Sequence, residues 1–470
     1  MPERYWLETL GCPKNQVDSD KLAGTLVGDG LELADDPSRA DVVVVNTCAF
    51  IEAARQESID TVLALADGAK RGARIVVTGC MAERYGDELA RALPEVDLVA
   101  PFGTPLLSRA RPEPVAEPVT FLGTVPPEGG RSGRTARRGP SSAAPQSNAF
   151  DLLELPRPPA RAPWAYVKVA EGCDRSCGFC AIPSFRGPQR SRAPAAVLAE
   201  VDQLASGATP LGEVVLVAQD LASFGLDRTS GGVRPGQGAA RPLVDLVGRV
   251  AERVPRVRLL YLYPSSLDDE LVDAVLATGV PYFDLSLQHV SRPLLHRMRR
   301  WGEGDRFLER IASIRSREPG ATFRSSFIVG YPGETEDDHD RLLAWLAEAQ
   351  LDWAGFFLFS PEDGTPAAVL DGRVPEDLAR RRIDECTELQ DAITATRRDA
   401  LIGATVEVLV DEPGRGRTYR EAPEIDGVVE LVDVPGTPSA SEVGTVVRAT
   451  VVAAEGPDLS AELVSCGTVR

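Results

Sequence analysis

Between residues 161 and 400 the chain repeats one pattern six times, an apolar run of strand length followed by a helical stretch. The runs are AYVKVAEG (165–172), EVVLVAQD (213–220), VRLLYLY (257–263), YFDLSLQ (282–288), TFRSSFIVG (322–330) and WAGFFLFS (353–360). Stretches such as PAAVLAEVDQLAS (194–206) and EDDHDRLLAWLAEAQ (336–350) separate them. Parallel strands need a crossover long enough for a helix, and this alternation supplies one each time. Six successive units predict a partial (βα)6 barrel with function at the carboxyl ends of its strands.

The flanking segments follow other patterns. Residues 1–105 carry strands at 5–11, 40–47 and 74–79 with helical stretches between them, for example 51–70, which predicts a smaller parallel α/β domain. Residues 106–160 are rich in Pro, Gly, Ser, Ala and Arg and read as a linker. Within it, 125–148 reads as a disordered insertion with a small basic run, Arg131, Arg134, Arg137 and Arg138. A second flexible loop is expected at 227–242. Residues 402–470 are short β-rich runs between Gly and Pro, which suits a small all-β barrel of the oligonucleotide-binding type. The fold class is therefore multidomain α/β with a terminal all-β barrel, since 470 residues exceed what one core sustains.

The first residues, MPERYWLETLGC, are charged, and no stretch approaches about 18 consecutive apolar residues, so neither a signal peptide nor a membrane span is expected. The expected location is the cytoplasm. Eight cysteines are too few for a disulfide scaffold at this length, which leaves metal or redox chemistry. A net charge of −19 disfavours generic phosphate binding and suits a basic partner.

Two sets of cysteines carry the chemistry. Cys173, Cys177 and Cys180 have the spacing C-x3-C-x2-C and directly follow the first barrel strand. Three thiolates from one loop can hold three irons of a 4Fe–4S cube and leave the fourth open to an outside ligand. Zinc is the competing reading, but structural zinc wants four protein ligands and no fourth Cys or His lies nearby. Cys12, Cys48 and Cys80 each stand at the end of a predicted strand, separated by 36 and 32 residues. One strand–helix–strand unit has about that length, so the chain returns to the same sheet edge each time. Neighbouring strands lie about 4.8 Å apart, which brings three thiolates within reach of a second cluster; three buried structural cysteines are the alternative. Cys386 and Cys466 belong to no set and read as packing residues.

The pieces LGCPKNQVDSD, NTCAFI, VTGCMAERY, AEGCDRSCGFCAIPSFRGPQRSR, LQHVSRPLLHRMRR, FIVGYPGETEDD and FSPEDGTPA go further. The cysteine loop resembles that of the radical S-adenosylmethionine superfamily, and nearly the whole chain resembles the methylthiotransferases within it, including the appended barrel called TRAM. RTYREAPEIDGVV (417–429) is similar to the terminal sequence of the ribosomal-protein branch, the RimO type. The charge of that barrel agrees. Residues 402–470 hold twelve carboxylates against five arginines and no lysine, a balance of −7. Binding tRNA would call for basic residues that displace counterions, whereas an acidic barrel suits a basic ribosomal protein.

The resemblance implies two 4Fe–4S clusters, S-adenosylmethionine, an external electron donor and a sulfur donor. It implies small-subunit ribosomal protein 12, free or within the small ribosomal subunit, as the partner modified at the β-carbon of an aspartate. The rival readings are a tRNA adenosine methylthiotransferase and a non-catalytic iron–sulfur electron carrier. For contacts to S-adenosylmethionine the candidates are Phe179, Lys168, Arg186, Arg192, Gln219, Asp220, Gln288, His289, Gly330 and Glu334. Phe179 is placed either near the adenine or as apolar support under the loop, and the three cations would neutralise the cofactor carboxylate. The polar strand-end pairs Gln219–Asp220 and Gln288–His289 read as ligand contacts. Gly330 to Glu334 read as a tight turn that could approach the adenine. His296 and His339 read as surface residues. Substrate docking is assigned to Glu421, Glu424 and Asp426.

Overall fold

A computed structural model describes residues 2–107, 151–228, 241–432 and 442–464. The insertion at 125–148 with its basic run, nearly all of the loop 227–242, and Cys466 lie outside these residues. The chain forms two compact units, residues 1–155 and 156–470. No helix among the described residues is long and apolar enough to cross a membrane.

The first unit is a five-stranded parallel sheet in the order β2-β1-β3-β4-β5. Its strands are β1 (Arg4–Thr9), β2 (Glu32–Leu33), β3 (Val42–Thr47), β4 (Arg74–Gly79) and β5 (Leu98–Ala100). The helices α1 (Pro13–Gly28), α2 (Glu52–Gly68) and α3 (Cys80–Ala92) connect them. VVVVNT, buried at every residue, takes the central position because a strand covered on both faces reads as a continuous apolar run. Leu106 and Leu152 join this core with Leu22, Leu26, Val42 and Val76. The ends of the expected 106–160 linker are thus packed structure, because their leucines bury apolar area.

The second unit opens with six parallel strands: β6 (Trp164–Lys168), β9 (Glu213–Val217), β10 (Arg256–Leu259), β11 (Tyr282–Gln288), β12 (Thr322–Val329) and β13 (Trp353–Leu358). They pair as β6-β9-β10 and β11-β12-β13. A single parallel bridge, Leu262 to Leu285, joins the halves. The ladder thins there because Tyr261 sits at φ +66, which interrupts the extended backbone after β10. The short strands β7 (Ala170–Glu171) and β8 (Arg190–Ser191) lie between β6 and β9. The helices are α4 (Ile182–Arg186), α5 (Pro194–Leu204), α6 (Pro242–Ala251), α7 (Asp269–Ala277), α8 (Arg292–Arg297), α9 (Gly304–Arg317), α10 (Glu336–Ala349) and α11 (Glu376–Asp399). One apolar core runs from Val167 and Leu216 through Phe283, Phe323 and Phe327 to Leu346 and Cys386.

The chain then closes a barrel in the order β14-β15-β16-β18-β17. Its strands are β14 (Thr405–Glu412), β15 (Arg415–Arg417), β16 (Val429–Val432), β17 (Val446–Glu455) and β18 (Asp458–Leu463). This barrel is locked to the larger one by buried polar groups. Glu213 accepts from Arg258 at 2.6 Å and from Arg417 at 3.0 Å. Arg256 and Arg258 donate to the carbonyls of Arg417 and Tyr419, each at 3.0 Å. The Tyr166 hydroxyl donates to Pro423 O at 2.7 Å.

This lock corrects the docking assignment. Glu421 is fully buried, pairs with Arg398 and accepts from Thr418 N at 2.7 Å. Asp426 accepts from the Tyr282 hydroxyl at 2.6 Å and lies 3.4 Å from Arg324. Both carboxylates are held by cations of the same unit, and only Glu424 is exposed. His339 is also corrected, from surface to buried, with Nε2 at 2.6 Å from Glu385.

Candidate active site

The cysteine loop leaves the barrel after β7 and returns through α4 to β8. β7 and β8 pair antiparallel, Ala170 with Ser191 and Glu171 with Arg190, so the loop is pinned at its neck. Cys173 N donates to Gly187 O at 3.1 Å, and Gln189 N donates to Asp174 Oδ1 at 3.0 Å. Gly172 is required here. Its φ is +78, and a Cβ would meet Pro188 O at 2.1 Å. Further along, Gly178 N donates to Met298 O at 2.8 Å and Ala367 N to Gly178 O at 2.9 Å, which seats the loop on the end of α8.

All three cysteines are half-buried, and none of the seven described cysteines forms a disulfide. Burial pushes the Cys173 thiol up to about 11 and the Cys180 thiol up to about 12. Thiols so reluctant to ionise make poor nucleophiles or redox shuttles at neutral pH. As ligands they lose the proton when a metal supplies the opposing charge. Two further groups already address the sulfurs. Arg175 N donates to Cys173 Sγ and Arg300 Nη1 to Cys177 Sγ, both at 3.4 Å.

Around the loop lies a polar shell. Glu171 accepts from Lys168 at 2.7 Å, from Arg186 at 3.0 Å and from Gln219 Nε2 at 2.6 Å. Burial alone would raise its pKa, but Arg186 and Lys168 outweigh that and hold the carboxyl at about 2. Asp220 Oδ2 accepts from Arg175 at 2.6 Å and from Ser223 at 2.7 Å. Gln219 Oε1, Asp220 Oδ1 and both polar side-chain atoms of Gln189 are buried without a hydrogen-bond partner among the described residues. Buried acceptors are rarely left so, and a ligand bearing N–H and O–H groups would satisfy them. Tyr261 at φ +66, Gln288 at +71 and Arg299 at +54 follow β10, end β11 and follow α8. Non-glycine residues in this region cluster at functional sites.

Several sequence candidates land elsewhere. Lys168 is committed to Glu171, and Arg192 lies 2.7 Å from Glu200, so neither is a spare cation for a cofactor. Phe179 packs against the barrel core, which makes it apolar support. His289 is fully buried, and its Nδ1 accepts from Ser291 N at 3.0 Å. Glu334 accepts from Gly330 N at 2.6 Å and from Arg382 at 2.9 Å, so it holds its own turn and uses the amide that a ligand would need. Gln219, Asp220 and Gln288 remain at the strand ends. The sequence reading missed Arg175, Tyr263, Arg300 and Ser266, whose hydroxyl accepts from Arg175 at 3.1 Å. Arg175 lies inside the cysteine motif, which was the available signal; Arg300 approaches from 123 residues away.

In the first unit, Cys12, Cys48 and Cys80 follow the three adjacent strands β1, β3 and β4. Cys12 caps α1 and Cys80 begins α3. A Cβ on Gly11 would meet Cys48 Sγ at 3.0 Å, so the turn before Cys12 runs directly against Cys48. Asn15 joins the three ends. Its Nδ2 donates to Leu10 O at 2.8 Å and to Thr47 O at 3.2 Å, and Cys80 Sγ lies 3.6 Å from its Oδ1. Asn46 fixes Asn15 by donating to its carbonyl at 2.9 Å.

Among the described residues, no three His, Cys, Asp or Glu side chains converge as ligands of a single ion. A cubane takes each thiolate on a different iron, so its cysteines stand apart around it. Each cysteine set offers three soft thiol donors, and by that donor chemistry fits such a group.

The chain matches the uncharacterized protein family UPF0004 over residues 4–101, the radical SAM superfamily over 167–346 and the TRAM domain over 402–464. It is 42% identical to a protein of Salinispora tropica named ribosomal protein uS12 methylthiotransferase RimO, covering 97% of this chain and 95% of that one. A Kineococcus radiotolerans protein of the same name is 41% identical, covering 98% of each. A Streptomyces coelicolor protein, again of that name, is 41% identical over 97% of this chain and 96% of its own. With this identity over nearly the whole length and the three domains in order, the chain belongs to the RimO family of radical S-adenosylmethionine methylthiotransferases.

Proposed function

We propose that this protein adds a methylthio group to the β-carbon of an aspartate in ribosomal protein uS12. The observation that carries the reading is the pair of three-cysteine sets, one at three parallel strand ends of the first unit and one in the single loop between β7 and β8 of the second. The names of the relatives and the acidic terminal barrel support a ribosomal protein as substrate.

Cys173, Cys177 and Cys180 would hold a 4Fe–4S cluster, which when bound supplies the electron that cleaves S-adenosylmethionine to a carbon radical. Cys12, Cys48 and Cys80 would hold the second, which supplies the site of the sulfur to be inserted. The chain's own residues position and enclose. The Gly172 neck fixes the cysteine loop on the barrel. Gln219 and Asp220 offer acceptor oxygens to the amino and hydroxyl groups of the cofactor. Glu171 keeps Lys168 and Arg186 paired, so no loose cation competes for the cofactor carboxylate. A sulfur donor and an external reductant complete the cycle, acting in the cytoplasm where uS12 is found.

The test is anaerobic reconstitution with iron and sulfide, then incubation with S-adenosylmethionine, dithionite and uS12. The expected products are 5′-deoxyadenosine and a methylthio mass increment on one uS12 aspartate. Replacing Cys12, Cys48 and Cys80 by Ala should spare 5′-deoxyadenosine and abolish the increment. Methylthiolation of tRNA adenosine in place of uS12 would overturn the substrate assignment, and a protein that takes up iron but never yields 5′-deoxyadenosine would be an electron carrier.

A further inference from the structure

α8 ends in a hydrogen-bonded reversal. Arg300 N donates to Leu295 O at 2.7 Å and Arg299 N to His296 O at 3.0 Å, with Arg299 in the left-handed region. An arginine holds that conformation where its surroundings over-determine it. The reversal brings Arg300 to the cysteine loop. Its Nη1 donates to Cys177 Sγ at 3.4 Å, and its Nη2 donates to the Ser286 carbonyl. Its guanidinium carbon lies 3.9 Å from the centre of the Tyr263 ring. Arg175 stacks on the same ring at 3.8 Å, and its backbone amide donates to Cys173 Sγ. One tyrosine thus supports two guanidinium groups; that of Arg300 reaches Cys177 directly, whereas Arg175 reaches Cys173 through its backbone amide.

The two arginines differ in charge balance. Arg175 is matched by Asp220 at 2.6 Å. Among the described residues Arg300 makes no ion pair; its contacts are a sulfur, a carbonyl and an aromatic face. An uncompensated charge in a half-buried site acts far more strongly than one in water.

We infer that Arg300 is a positioning residue that raises the reduction potential of a 4Fe–4S cluster on Cys173, Cys177 and Cys180, with Tyr263 as its support. The inference rests on the cluster reading of that loop. Uptake of one electron makes the thiolate-bound group more negative, and a fixed cation that also donates a hydrogen bond to sulfur stabilises that state.

The test uses the full-length chain with Cys12, Cys48 and Cys80 replaced by Ala, so that one cluster titrates. Iron is measured after anaerobic reconstitution, and the reduced signal is followed by EPR during titration with dithionite. Arg300→Gln and Tyr263→Leu should keep the iron of the parent and show a lower midpoint potential. The shift is about 59 mV for each tenfold fall in the reduced-to-oxidised ratio at a fixed ambient potential. Arg300→Lys keeps the charge without the fork and should recover part of the shift. Equal midpoints in the parent, Arg300→Gln and Tyr263→Leu at equal iron would overturn the inference. Loss of iron by Arg300→Gln, with the parent loaded, would assign the contact to cluster retention and overturn it as well. A parent that binds no iron would overturn the cluster reading and the inference with it.

Discussion

His289 shows how a strand-end polar residue can be structural. It is fully buried and accepts from Ser291 N, and burial lowers its pKa from the ordinary 6.5 to about 4, with Asp338 opposing weakly. Between those two values the unfolded chain binds a proton that the native state refuses. Stability contributed by this site is therefore complete above about pH 6.5 and is lost as pH falls toward 4. His289→Gln keeps an acceptor for Ser291 N and removes the proton, so it should flatten this part of the profile. The difference at pH 4 is at most about 3 kcal/mol. Urea unfolding at stepped pH measures it, and parallel slopes for variant and wild type would count against the assignment. The position of His289 after a strand was visible in sequence, but its orientation was not, because alternation of faces breaks down at the irregular end of β11.

At the scale of elements, the two cysteine sets depend on different small devices. The barrel loop depends on its neck. Gly172→Ala places a methyl 2.1 Å from Pro188 O at a φ of +78, so β7 and β8 must separate. Of the roughly eight irons expected from two clusters, about four should remain, held by Cys12, Cys48 and Cys80. Full iron content in this variant would show that the neck does not organise the loop. The first unit depends on α1, whose Asn15 spans the ends of β1 and β3 and reaches Cys80. Asn15→Ala removes a donor from Leu10 O and from the buried Thr47 O, a loss of about 1–3 kcal/mol. It should deplete iron from this unit while 5′-deoxyadenosine formation persists. Strand and helix positions were legible because their periods are local, whereas nothing local marks Asn15, whose partners come from three separate strand ends.

At the scale of the molecule, the terminal barrel is part of the second unit through ion pairs that exclude water. Arg417 lies 3.0 Å from Glu213 and 2.6 Å from Asp411, with both partners largely buried. Arg417→Met removes the cation that pairs with Asp411, leaves Glu213 with Arg258 alone, and should destabilise the unit by about 3–5 kcal/mol. A melt of wild type and variant decides it, and a change below about 0.5 kcal/mol would mean the network adds nothing. The carboxylates that remain available to a basic partner are others, among them Glu407, Glu455 and Glu462, all exposed. Reversing these three to Lys should weaken capture of uS12 most at low salt, since rim charges act on association and are screened over about 8 Å at 0.15 M. S-adenosylmethionine cleavage without substrate should be unchanged. Identical salt slopes for the two proteins would remove electrostatic docking from the account.

The sequence by itself determined the six βα units, the parallel first sheet, the closing β-barrel, and the placing of Cys12, Cys48 and Cys80 at three strand ends and of Cys173, Cys177 and Cys180 in one loop. Each rests on short-range periodicity or on spacing that matches one strand–helix–strand crossover, quantities that need no knowledge of distant residues. Only the tertiary structure decided which charges face solvent. Glu421, Glu424 and Asp426 lie within six residues of one another, yet two are bound by Arg398 and Arg324 and one is exposed. It also decided which cation meets Cys177, since Arg300 arrives from a different helix end 123 residues away. A charged side chain carries no mark of its partner in the local sequence; the partner is set by which elements pack together, and burial then makes the pairing obligatory.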